Sequence, residues 1–280
     1  IGDVFHQAMM QGNLALSCGR AGRIEAARQH FQAAIAAERN LRHEGGAAVA
    51  LANLGHLEIS MGNYEEAWSV LKEAHRVHLS AGRIGPLCQD LVGLGAICMY
   101  TERLDEAEEY IELACTLARQ RRAFRDLAVF SIFSAQRCML AGQFQRAETC
   151  IQEALRHSRQ LDWLHGEAVA WSIIGGIAIQ QKDYDRANDS LAKATAMLED
   201  GHHLDDHAQL HVYKGRLALS QGDPSSARKH LNAGQKLRIL RNMGENSGIG
   251  LELKSLANEL SDWNLEQTAK LFDSALEQTK

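Results

Sequence analysis

Six anchor positions, Gly22, Gly62, Glu102, Gly142, Lys182 and Gly222, follow one another at intervals of forty residues. Five residues beyond each anchor stands an alanine: Ala27, Ala67, Ala107, Ala147, Ala187 and Ala227. Nine beyond it comes a large apolar side chain, namely Phe31, Leu71, Ile111, Ile151, Leu191 or Leu231. Seven before it sits a small residue, Ala15, Gly55, Gly95, Ala135, Gly175 or Gly215. A register kept this strictly is the mark of a solenoid, in which each unit buries its apolar face only against its neighbours.

One unit can be read from the second copy, Leu51 to Ala74. Apolar and small residues fall at helical spacing on both sides of Gly62-Asn63, so the unit is two helices joined by a tight turn. Gly55 and Ala67 are small where the helices cross, and Leu71 fills the space between them. Gly62 supplies the backbone freedom that ends the first helix. The pairs are predicted near 1–20 and 23–41, 46–61 and 64–80, 86–101 and 104–121, 125–141 and 144–161, 164–181 and 184–199, and 204–221 and 224–241. A degenerate seventh pair is expected near 246–260 and 264–279, as a terminal repeat must turn one face to water. Gly244, Asn246, Ser247, Gly248 and Gly250 weaken helix between them and read as a hinge before this cap. The expected organisation is thus six helix pairs over 1–241 and a capping pair over 242–280. Charges agree with it. Second helices open with acids (Glu65, Glu66, Asp105, Glu106) and close with bases (Arg119, Arg156, Arg159, Arg238), as the helix dipole favours.

Composition narrows the function. The net charge is −5 without long runs of one sign, which argues against direct nucleic-acid binding, since that rests on a basic face. No apolar stretch approaches twenty residues and no signal peptide is present, so a membrane partner is not expected. Cys18, Cys98 and Cys138 share one repeat position and read as small buried residues. Together with the absence of a Cys-x-x-Cys pair, they fit a reducing, cytoplasmic setting without structural zinc. The start at Ile1, inside a first helix, fits a segment of a larger protein.

The offsets Leu-Gly, Gly-x-Tyr, Ala, Phe and Ala, with Trp171 four residues before Gly175, resemble the tetratricopeptide repeat over about residues 9 to 241. The period exceeds the family's usual thirty-four, and its closing proline is missing. The long form is similar to the repeats of MalT-like bacterial regulators and peptide-responsive regulators. The resemblance implies an all-α, right-handed superhelical solenoid of antiparallel helix pairs whose first helices line a concave groove. It also implies which positions face a ligand. Asn13 and Asn53 occupy the place where family members hold a peptide backbone. His56, Gln136 and Arg216 stand at a second groove position, and Arg20 and Tyr100 at a third. Ile59, Val92, Met99, Ile132 and Met139 make an apolar strip, which is either groove surface or core. The basic clamp that grips a chaperone tail is not expected, because Arg20 and Arg216 lie five repeats apart.

Two other clusters carry weaker readings. His203, His207 and His211 fall on one helix face with Asp205 and Asp206 nearby, a spacing two of which suit a metal, although three ligands from one helix are rare. The run Arg119 to Arg125 reads as a helix end and loop. No phosphate loop, nucleophile elbow or metalloprotease motif occurs, so neither catalytic residues nor a cofactor or metal is expected. The sequence predicts a non-enzymatic scaffold that binds a protein or peptide in its groove. A ligand- or peptide-sensing regulatory domain of a bacterial transcription or signalling protein is the alternative, and self-association into a homo-oligomer a third reading.

Overall fold

The computed structural model describes the backbone of residues 2–198 and 204–278, and side chains at 5–198, 204–267 and 270. Its thirteen described helices contain no intervening strand. Six antiparallel pairs follow in order: α1 (Gly2–Arg20) with α2 (Ile24–Asn40), α3 (Glu44–Met61) with α4 (Tyr64–Ser80), and α5 (Ile84–Tyr100) with α6 (Leu104–Gln120). Then come α7 (Phe124–Leu140) with α8 (Phe144–Gln160), α9 (Leu164–Gln180) with α10 (Tyr184–Met197), and α11 (Leu204–Ser220) with α12 (Pro224–Leu240). The chain ends in α13 (Gly248–Gln278).

The crossing inside each pair is as the repeat register requires. A Cβ on Gly55 would stand 2.5 Å from the Leu71 side chain, and one on Gly175 2.5 Å from Leu191. Ala67, Ala107, Ala147, Ala187 and Ala227 are each fully buried. First helices also stack on first helices of the next pair, forming the inner wall. This double coverage leaves α5 and α9 buried along nearly their whole length, whereas the second helices keep a polar outer face. Across that outer face, arginines join adjacent repeats: Arg146 reaches back to Glu108 at 2.6 Å and Arg39 forward to Glu73 at 2.6 Å. Exposed pairs of this kind add little each, roughly 0–1 kcal/mol.

Every anchor ends its helix in the left-handed region, with φ of +76° at Gly62. Two anchors are not glycine: Glu102 and Lys182 both take φ of +62°. A side chain is disfavoured there, so Glu102→Gly and Lys182→Gly are each expected to stabilise the fold by about 0.5–1 kcal/mol. Chemical denaturation checks this, and an unchanged midpoint would mean the two side chains make up for the strain.

The expected seventh pair is one continuous helix instead. Leu260-Ser261-Asp262-Trp263-Asn264 contains neither glycine nor proline, so nothing stops α13 where the second turn was expected. Gly215 packs against Leu256 of this helix, with 2.6 Å left for a Cβ.

The segment before α13 is not a free hinge. Arg241 donates to the carbonyl oxygens of Gly19 (3.0 Å) and Arg20, and Asn242 Nδ2 donates to Gly22 O at 3.0 Å. The Gly244 amide reaches Ser60 O at 3.4 Å, and the Tyr64 hydroxyl donates to Asn246 O at 2.6 Å. Residues 241–248 therefore tie the last pair to the ends of α1 and α3, and Gly248 sits against the Tyr100 ring. The solenoid closes on itself.

Candidate binding groove

Closure divides the concave side into connected cavities. At the amino-terminal end, a cavity of ≈350 Å³ runs between α1 and α3, lined by Phe5, Met9, Asn13, Leu16, Val49 and Asn53, with the charged or polar Glu38, His43 and Arg83 also in its wall. A second, ≈220 Å³, continues inward past Leu16 and Asn53 to Arg20, His56, Ser60, Asp205 and Arg241. A third, ≈140 Å³, lies deeper, between α5, α7, α9, α11 and the start of α13.

The repeat register put Asn13 and Asn53 on one wall, and both line the outer cavity, with Asn53 shared between it and the next. Arg20 and His56 join them. His56 is reachable by water, yet crowding by the walls disfavours its charged form and lowers its pKa. Met99, Tyr100 and Gln136 line the deep cavity. Burial raises the Tyr100 phenol to about 12.

Other positions are placed differently. Val92 and Ile132 are core, 4% and 8% exposed, because adjacent first helices stack closely enough to cover them. Ile59 and Met139 are half-buried, each packed against a core cluster, Met139 against the one that contains Ile132. Arg216 is committed within the chain, to Glu252 at 2.7 Å and Glu259 at 3.1 Å, and so anchors α13 on α11. Accessible apolar side chains lie at the mouth, on Phe5, Met9, Leu16 and Val49, and on Leu140 beside the deep cavity.

Of the histidine series, His203 lies outside the described residues. His211 meets His230 of α12, Nδ1 to Nδ1, at 3.0 Å, and burial with this neighbour lowers its pKa to about 4. No group of three or more candidate metal ligands is found among the described residues. The arginine run is spent on local partners: Arg119 on Glu153, Arg121 on Asp126, and Arg125 over the Trp163 ring. The described cysteines are free, and five of the six are buried. No described helix is long and apolar enough to cross a membrane.

A closed array of helix pairs with a lined inner groove defines a helical-repeat protein. Tetratricopeptide-repeat sequence profiles match residues 6–80, 91–121 and 177–238, together more than half of the chain, and the chain belongs to this family. No curated protein sequence matches it significantly. Among solved structures, it is similar to a Rap protein complexed with Competence and Sporulation Factor, at 13% identity and a TM-score of 0.78, covering 97% of this chain and 74% of the other. It is also similar to the Rap conjugation gene regulator of plasmid pLS20 in complex with the Phr* peptide, at 15% identity and 0.67, covering 84% and 64%. BtubC from P. vanneervenii matches at 21% identity and 0.56, covering 83% and 92%. At these identities the likeness is one of fold.

Proposed function

We propose that the chain is a non-enzymatic scaffold that holds an extended peptide, or an extended protein segment, in the trough between α1 and α3. The observation that carries this reading is that two in-phase asparagines, Asn13 and Asn53, line one trough whose apolar wall includes Phe5, Met9, Leu16 and Val49. Asparagine is a poor residue for a helix interior, and here two copies stand on the concave side of successive repeats. Each amide has one donor and one acceptor group, which suits the alternating N–H and C=O of an extended backbone. The apolar mouth then takes side chains. Structural neighbours solved with a Phr* peptide and with Competence and Sporulation Factor support the same use of this fold.

Replacing both residues, Asn13→Ala with Asn53→Ala, is expected to weaken a peptide selected on the intact chain by about 10- to 100-fold, from two hydrogen bonds of roughly 1 kcal/mol each. Helicity should be unchanged or slightly higher, because alanine favours helix. Calorimetric titration and circular dichroism read both. Unchanged affinity in the double variant would remove the assignment.

A further inference from the structure

The deep cavity has a chemistry that the trough lacks. Asp205 and Asp206 open α11 into it, and Glu252 enters from α13. Two of these carboxylates are already offset: Arg241 bonds Asp205 at 3.1 Å and Arg216 pairs with Glu252 at 2.7 Å. Asp206 has no such partner. Among the ion pairs of the described residues it meets only the His165 imidazole, at 3.3 Å. Burial and the neighbouring Asp205 charge raise its pKa to about 7.

A second observation is independent of these acids. Ser172 of α9 lines the same cavity and is 4% exposed, yet its Oγ has no hydrogen-bond partner among the described residues. The helical Ser158 and Ser190 hydroxyls are unpartnered as well, but Ser172 alone of the three lines this cavity; its Oγ is closed to water and meets a ligand there by turning about χ1, and a sealed hydroxyl left without a partner is costly. The repeat supplies its own control. The equivalent residues are Gly12, Ala52, Val92, Ile132 and Val212, so only the fifth copy puts a polar group here. Of the remaining wall, Met99, Leu140, Val169, Ile173, Leu198 and Ile249 are apolar, and Tyr100, Gln136 and Gln209 add neutral polar groups.

From this arrangement we infer that the deep cavity is a binding site for one alkyl-ammonium or alkyl-guanidinium group, with Asp206 and Ser172 receiving the cationic head and the apolar wall its chain. Size supports a single such group. A cavity of about 150 Å³ holds one benzene-sized molecule, and the ≈140 Å³ here admits a lysine or arginine side chain and not a peptide backbone. Asp205 lines both this cavity and the adjoining part of the trough, so the two spaces meet at one residue. The inference deepens the groove reading: a bound peptide would send one basic side chain inward. A free amine has the same head and tail, and the test separates the two sources.

The groups that face Asp206 are Asp205 on its own helix, His165 on α9, Glu252 on α13 and the Tyr100 hydroxyl on α5. Asp206 takes on its charge as pH rises through about 7. Binding should therefore strengthen as pH rises through about 7.

The experiment titrates the intact chain with agmatine, with n-butylammonium and with neutral 1-pentanol, and in parallel with selected peptides and their versions in which each Lys or Arg is replaced by norleucine. The cations are expected to bind and pentanol not. Asp206→Asn should lower cation affinity about tenfold or more, and Ser172→Val, the residue type of other repeats, several-fold. Thermal melts confirm that both variants fold. Cation binding that depends on Asp206 while no peptide binds supports the cavity assignment and overturns the peptide reading. Basic and norleucine peptides that bind alike, with dependence on Asn13 and Asn53 and none on Asp206, leave the trough standing and overturn the cavity assignment. Absence of measurable cation or basic-peptide binding also overturns it.

Discussion

Gly244→Val is expected to open the closed solenoid while leaving its six helix pairs folded. A Cβ at Gly244 would lie 1.9 Å from the Met61 carbonyl oxygen and 2.6 Å from its carbon. These are backbone atoms at the end of α3, so no side-chain rotation can relieve the clash and the segment itself must move. With it go the amide bond to Ser60, the Tyr64 bond to Asn246, and the grip of Arg241 and Asn242 on Gly19, Arg20 and Gly22. Several partly exposed hydrogen bonds at roughly 0.5–1.5 kcal/mol each make this a loss of about 2–4 kcal/mol for the closed form. The helix pairs rest on their own cores and do not depend on these bonds. Small-angle scattering should show a larger radius of gyration, and hydrogen exchange should quicken in 241–250 and at the end of α3. Scattering and exchange identical to the parent chain would mean that the segment does not determine closure.

The second large effect lies between the second and third repeats. His78 at the end of α4 bonds Asp90 of α5, Nδ1 to Oδ2, at 2.6 Å, and both side chains are fully buried. The other imidazole nitrogen and the other carboxylate oxygen have no hydrogen-bond partner among the described residues. Burial raises the Asp90 pKa to about 6, and the bond from His78 partly offsets it. Replacing His78 by leucine strands Asp90, and replacing Asp90 by leucine strands His78. Each is expected to cost about 3 kcal/mol, whereas the double leucine variant should recover most of that loss, because an apolar pair of similar volume replaces the buried polar pair. Strictly additive losses on chemical denaturation would refute the coupling. The pH sign follows from the same shift. Between the unfolded value near 3.9 and about 6, the folded chain holds a proton that the unfolded chain has released. Stability from Asp90 is therefore full below about 4 and lost as pH rises through 6. The double variant should lack that slope.

Local structure was legible because every repeat states it again. The turn at Gly62, the crossing at Gly55 and the start of α4 at Tyr64 follow from residue types at fixed offsets, and the twelve paired helices fall within two residues of their expected ends wherever the chain is described, the shifts of two being the starts of α3 and α5 and the end of α10. What failed was non-local. Gly244 looked like a helix-weakening residue near a hinge. Its actual constraint is the backbone of Met61, 183 residues upstream (244 − 61), at a separation that no repeat offset encodes. Closure depends on the accumulated pitch of six pairs, which local patterning does not report. The groove divided along the same line. Register placed Asn13, Asn53 and His56 on the concave side, whereas the burial of Val92 and Ile132 depends on how tightly neighbouring first helices stack. In the sequence, Asp206 stands out only beside the histidines. The signal that marks its cavity was present in the repeat itself, as a lone serine at a position otherwise held by Gly12, Ala52, Val92, Ile132 and Val212.

The most direct test of the account is a hydrogen-exchange footprint of the intact chain with a peptide selected on it from a random library. The account predicts added protection on the concave sides of α1 and α3, centred on Asn13 and Asn53, with the second helices α2 and α4 unaffected on their outer faces. Protection confined to those outer faces, with α1 and α3 exchanging as in the free chain, would contradict it.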